Sequence, residues 1–198
     1  MAEITAQAVN EFRKKTGLGL MECKSLLKEA DGDMKKAETL AKERGLKQAE
    51  LRGGRAAKAG RIEVYIHHDA KSGAMIEINC ETDFVARNDE FKQLAKDLAL
   101  HVMAANPLYA RREDVPAEVI EEQKRIFVTQ VADKPPAIQE KIAEGKLNAW
   151  FGETVLIDQK FAKDDTKTVR DIILAVNART GENISVARFA RFIVGDAR

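Results

Sequence analysis

The sequence predicts an α+β chain: a three-helix module first, then a core in which a small three-stranded antiparallel sheet is covered by helices. Three observations predict it. The first 45 residues place their apolar side chains at helical spacing, with breaks at Gly17 and Gly32. From Ile62 to Cys80 apolar and polar residues alternate on either side of a polar turn, the pattern of a hairpin. A last run rich in β-formers, Ile184 to Val194, arrives only after a helical excursion.

In the module, Ile4, Ala8, Val9 and Phe12 form the first apolar stripe, which stops at Gly17. Leu20, Cys23, Leu27 and Ala30 form the second, ending at Asp31-Gly32. Asp33 caps a third helix with Met34, Ala37, Leu40 and Ala41 on its face, and Gly45 is expected to end it. Three such short helices bury only a small common core. Residues 1–47 are therefore read as one domain. Residues 48–60, where Gly53, Gly54 and Gly60 mix with Ala, Arg and Lys, read as a flexible linker to a core at 61–198. The spacing of a phosphate-binding loop is absent from that glycine-rich stretch.

In the core, Ile62, Val64 and Ile66 alternate with Glu63, Tyr65 and His67 as a first strand. Asp69 to Gly73 is a polar turn, and Met75 to Cys80 returns as the second strand. A helix then runs from Phe91 to Ala105, with Asn88 as its N-cap and Asp89 and Glu90 in the dipole-favoured first turn. Another starts at Val115-Pro116, carries Val119, Ile120, Ile126 and Phe127, and ends by Pro135-Pro136. A further helix spans about 137–151, and Lys163-Asp164-Asp165 reads as a solvated turn. Thr168 and Asp171 have capping-box spacing at the start of the last helix, which Gly181 ends. The alternation of the last strand slips near Arg188-Phe189, which predicts a bulge.

A hydrophobic content of 44% with 33% charged residues describes a globular chain able to bury a core. The net charge of +1 supplies no overall field toward nucleic acid or a membrane. Basic residues outnumber acidic ones in the first 60 positions and the reverse holds beyond, but the cations are dispersed among acids. They lack the aromatic interleaving of a nucleic-acid platform. No apolar run approaches the ~18 residues of a membrane span and no signal core opens the chain, so the expected location is the cytoplasm. Cys23 and Cys80 are expected as reduced, buried thiols. No motif of paired cysteines, zinc-binding histidines or a serine nucleophile is present, so neither a metal, a cofactor nor an enzymatic activity is expected. His101 reads as a partly buried packing histidine in a helix.

The junction between the second strand and the following helix holds Thr82-Asp83-Phe84-Val85, too short to predict as an element of its own. Phe84 is a large ring among polar neighbours. By pattern alone it is either a core plug that anchors the helix or an aromatic presented to a partner.

The string Asn79 to Asn88 closely resembles the signature of the bacterial elongation factor Ts family. Lys15 to Lys24, with Gly32-Asp33, is similar to the ubiquitin-associated-like domain that begins members of that family. Further matches are Tyr65-Ile66-His67, Lys163-Asp164-Asp165, Lys167-Thr168-Val169, Gly181-Glu182-Asn183-Ile184 and Arg188 to Phe192. The chain departs from the family at Lys160, where a proline usually precedes the Phe. Its length resembles the short form, without the second core repeat and the helical insertion of longer members.

The resemblance implies a non-enzymatic guanine-nucleotide exchange factor for elongation factor Tu. Thr82, Asp83, Phe84 and Val85 would disturb the Mg²⁺ and phosphate site of the partner, with Phe84 acting as a wedge. Lys15, Thr16, Gly17, Leu20, Met21 and Lys24 would dock the N-terminal module on the partner. A homodimer is expected to supply the half that the short form lacks. The alternative is a ribosome- or RNA-associated protein using the mildly basic module.

Overall fold

Residues 4–16 and 18–196 are described by the computed structural model. Its first three helices are α1 (Ala6–Thr16), α2 (Leu20–Glu29) and α3 (Met34–Arg52). They close on Phe12, Cys23, Leu26, Leu27 and Ala37, all fully buried, which are the inward positions of the 3.6-residue stripes. The Asp33 carboxylate accepts from the Lys35 and Lys36 amides at 2.8 and 3.1 Å and so starts α3 as a cap should.

The core contains β1 (Ala59–Ile66), β2 (Ser72–Cys80), α4 (Asp83–Arg87), α5 (Asp89–Ala105), α6 (Ala117–Thr129) and α7 (Pro136–Thr154). It ends with β3 (Lys160–Phe161), β4 (Asp164–Thr168), α8 (Val169–Thr180) and β5 (Ser185–Ile193). The main sheet is antiparallel with strand order β1-β2-β5, as expected of three strands covered by helices. Ile76, Ile78 and Cys80 of β2 face α5 and α8 and are fully buried with Phe91, Leu98 and Val169. The register of β5 slips opposite Glu77 and Ile78, leaving Ala187 as the extra residue, next to the predicted bulge. The caps at Asn88 and Thr168 form as expected. Asn88 Oδ1 accepts from the Glu90 amide at 2.9 Å, and Thr168 and Asp171 complete a reciprocal capping box.

Several expectations are corrected. α3 does not stop at Gly45 but continues to Arg52, so residue 47, the expected boundary, lies inside a helix. The residues from Leu46 to Arg52 are strong helix formers, and the ~1 kcal/mol penalty of a mid-helix glycine is offset by packing. At Gly45, α3 lies directly on α8: a Cβ there would meet the Ala178 methyl at 2.9 Å. The stretch after α3 is also held, because Asn183 Nδ2 donates to the Gly53 and Arg55 carbonyls at 3.3 and 2.8 Å. Of the Lys163-Asp164-Asp165 segment only Lys163 lies in the turn; Asp164 and Asp165 open β4, which pairs with β3 as a two-stranded ribbon. The junction expected to lack an element contains the five-residue helix α4.

β1 carries the least expected feature. Its apolar residues Ile62, Val64 and Ile66 lie opposite Glu77, Met75 and Gly73, on the face turned away from the helices. Met75, Ala190 and Phe192 share that face, which leaves one side of the sheet apolar and open. The inward side of β1 is instead Ala59, Arg61, Glu63 and Tyr65. α6 and α7 form a helical hairpin that packs on its own small cluster around Val115, Phe151 and Val155.

His101 is fully buried rather than partly so. The Ala162 N–H donates to its Nδ1 at 3.1 Å, which assigns the proton to Nε2, the donor to Gln159 Oε1 at 3.0 Å. Gln159 Nε2 continues the network to the Ala105 and Glu153 carbonyls at 3.3 and 2.6 Å. Both cysteines are free and buried.

Candidate partner-binding site

β2 ends at Cys80, and the chain turns through Glu81 and Thr82 into α4. Thr82 has extended backbone and its hydroxyl accepts from the Val85 amide at 3.4 Å, which starts the helix. Asp83 adds negative charge to the first turn, where the helix dipole favours it. The Cys80 thiol donates to the Thr82 carbonyl at 3.2 Å, and burial pushes that thiol up to about 11, so it remains protonated and inert at neutral pH. One turn later Val85 and Ala86 reach back into the core, and the Asn88 amide donates to the Val85 carbonyl at 3.0 Å.

This arrangement anchors one face of α4 and projects the other. Phe84 is 89% exposed, and no large apolar side chain among the described residues is more so. The core-plug alternative is therefore excluded. A ring of this size leaves apolar area in water worth about 2 kcal/mol if buried. Asp83 beside it makes no hydrogen bond or ion pair within the described residues and is exposed. A carboxylate and an aromatic ring thus stand together on a rigid turn, both unengaged. Exposed aromatic rings are frequent anchors of protein interfaces.

The loop is locked from outside. Glu182, just beyond the α8 terminus, accepts at Oε2 from the Glu81 and Thr82 amides, at 3.1 and 3.0 Å. Its Oε1 accepts from the Thr82 hydroxyl at 2.6 Å. Glu81 returns the contact, accepting the Asn183 amide at 2.7 Å. Residue spacing does not reveal these bonds, because the partners lie about a hundred positions apart. The only sequence signal at this turn was the Gly181-Glu182-Asn183-Ile184 string itself.

A family model described as Elongation factor TS matches residues 34–196. The chain belongs to the elongation factor Ts family. An Elongation factor Ts of Thermodesulfovibrio yellowstonii is 52% identical over 196 residues, covering 98% of each chain. The Elongation factor Ts of Thermotoga maritima is 50% identical over 194 residues, again covering 98% of each. That of Geobacter sulfurreducens is 48% identical over 195 residues, covering 98% of this chain and 90% of its own. Membership makes the chain a translation elongation factor, and the surface just described lies within the matched region.

The second set of residues implicated by resemblance lies in the N-terminal module. Leu20, Met21 and Lys24 share the exposed side of the first turn of α2, with Met21 76% exposed and Leu20 half-exposed. Lys15 is in an ion pair with Glu38 at 2.8 Å, which raises its affinity for the proton. The Thr16 hydroxyl donates to the Phe12 carbonyl at 2.8 Å and so closes α1. Gly17 lies outside the described residues. α2 therefore offers an apolar pair beside a lysine, whereas Lys15 and Thr16 are engaged within the module. Among the described residues no helix is long and apolar enough to cross a membrane, and no group of three metal-ligating side chains is placed to share an ion.

Proposed function

We propose that this member of the elongation factor Ts family promotes GDP release from elongation factor Tu by inserting Phe84 into its nucleotide-binding domain. The single observation that carries the reading is the 89% exposure of Phe84 on a turn held by Thr82 on one side and by Val85 and Ala86 on the other. Asp83 accompanies the ring and meets polar groups of the partner. Displacing the groups that hold Mg²⁺ and phosphate weakens GDP binding. By linkage, the factor binds the nucleotide-free partner more tightly by the same ratio. GTP then refills the site and expels the factor. The factor needs no cofactor of its own because the Mg²⁺ belongs to the partner, and no bond in a substrate is made or broken. The apolar pair Leu20 and Met21, with Lys24, supplies a second contact that raises the effective concentration of the wedge.

A second copy of the chain is the further partner in this reading, and the open apolar sheet face supports it. Ile62, Val64, Met75 and Phe192 form an apolar patch closed at one end by the Glu77–Arg188 ion pair at 2.7 Å. Two such sheets packed face to face bury both patches in a sandwich about 10 Å thick.

The test is stopped-flow release of a fluorescent GDP from elongation factor Tu. The expected result is acceleration that saturates with the concentration of this protein. No acceleration at saturating protein, together with recovery of rRNA rather than elongation factor Tu from a bacterial lysate, would overturn the proposal in favour of an RNA-associated role.

A further inference from the structure

We infer that Glu182 is the positioning residue of the wedge, holding the turn that aims Phe84; the inference rests on the exchange reading above. Phe84 has almost no packing of its own, so its direction is set entirely by α4. A five-residue helix is far too short to be stable alone, and what orients it must act at its ends. At the C-terminal side Val85 and Ala86 enter the core. At the N-terminal side the Cys80 thiol holds the Thr82 carbonyl, and every other side-chain anchor comes from one carboxylate. α8 ends at Gly181, whose φ of 74° reverses the chain and brings Glu182 against the end of β2.

Three donors converge on Glu182: the amides of Glu81 and Thr82 and the hydroxyl of Thr82. The hydroxyl is thereby oriented with its hydrogen toward Glu182 and a lone pair toward the Val85 amide, the bond that begins α4. Glu182 thus acts on Phe84 through the cap of the helix that carries it. A carboxylate suits the place because it accepts all three bonds and donates none. The charge is not isolated: Glu81 and Asp83 are acidic neighbours, and Arg55 approaches the Glu81 carboxylate to 3.6 Å. The same turn holds the segment after α3 through Asn183, so one tight turn fixes both the wedge and the exit from the N-terminal module.

The experiment compares wild type, Glu182→Gln and Glu182→Ala in two measurements. Amide hydrogen exchange at Glu81, Thr82 and Val85 reports the turn itself. Nucleotide release from elongation factor Tu, titrated to saturation and normalised to folded protein, separates the maximal rate from the half-saturating concentration. Glu182→Ala is expected to lose protection at these amides and to lower the maximal rate about tenfold, with a smaller change in half-saturation. Glu182→Gln keeps one acceptor for the two amides and is expected within about threefold of wild type. A purely structural role would lower the melting temperature but leave the maximal rate per folded molecule untouched, and that result would overturn the inference. Unchanged protection in Glu182→Ala would overturn it as well. Failure of the wild type to accelerate release is a failure of the exchange reading, and amide protection alone then decides whether Glu182 holds the turn.

Discussion

Gly45 of α3 and Ala178 of α8 touch backbone to methyl: the space a Cβ on Gly45 would need ends 2.9 Å from the Ala178 Cβ. The helix of the N-terminal module is thus seated on a core helix, and the seat requires a residue without a side chain. Gly45→Leu should force α3 off α8, since inserting a branched side chain into a closed contact costs about 1–3 kcal/mol. The expected readout is faster amide exchange in α8 and faster proteolysis between residues 52 and 59, with the melting of the core sheet little changed. Retained protection in α8 would show that the contact can adjust.

Phe84→Ala should slow catalysed GDP release at least about tenfold, because truncation of a hot-spot aromatic costs ~2 kcal/mol or more and here the loss falls on the release step. The melting temperature should hardly move, as the ring is already 89% exposed in the free protein. Chelating the partner's Mg²⁺ should narrow the gap between mutant and wild type. A sharp drop in melting temperature with normal release per folded molecule would assign the ring a structural role instead.

Leu20→Ser combined with Met21→Ala should raise the half-saturating concentration for exchange about tenfold while leaving the maximal rate near wild type. Both side chains are exposed on α2, so the module should fold normally by circular dichroism. A fall in maximal rate at unchanged half-saturation would refute a docking role for α2.

The open sheet face makes a simple prediction about mass. Light scattering at micromolar concentration should give wild-type protein twice the 22.0 kDa chain mass. Val64→Glu with Phe192→Glu should give single chains, since opposing sheets cannot bury unpaired carboxylates. A wild-type particle of 22.0 kDa would rule out the second copy as occupant of this face.

Stability should fall on acidification through the titration of His101. Burial lowers its proton affinity below the ordinary value of 6.5, while the bond to Gln159 opposes that shift. The facing groups are Gln159, the Ala162 amide and the Phe161 ring, and the nearby charges, Asp97 and Lys163, are paired with each other at 2.6 Å. The unfolded chain takes up a proton at this residue before the folded one does. Its contribution is therefore full above about pH 6.5 and is lost as pH falls from there through the lower folded value. Melting curves at pH 8 and pH 5.5 should show the drop, and it should be smaller in His101→Gln. Equal pH dependence in the two proteins would refute the assignment.

By itself the sequence determined what short-range physics determines. The stripes of Phe12, Cys23 and Leu27, the alternation of Ile76, Ile78 and Cys80, and the caps at Asn88 and Thr168 each act within a turn or two residues. The α+β class and the order of most elements follow from them. The family signature from Asn79 to Asn88 is likewise carried by contiguous residues. What tertiary structure alone decided is non-local. Alternation in β1 is the same whichever face points inward, and only its register against Ile76 and Ile78 turns Ile62, Val64 and Ile66 outward. Gly45 reads equally as a helix stop or as a close contact, since both select glycine, and only the position of Ala178 against it decides for the contact. Whether Phe84 plugs the core or leaves it depends on where α4 points. That direction is set in part by Glu182, a hundred positions along the chain, and no local pattern encodes a bond closed over such a distance.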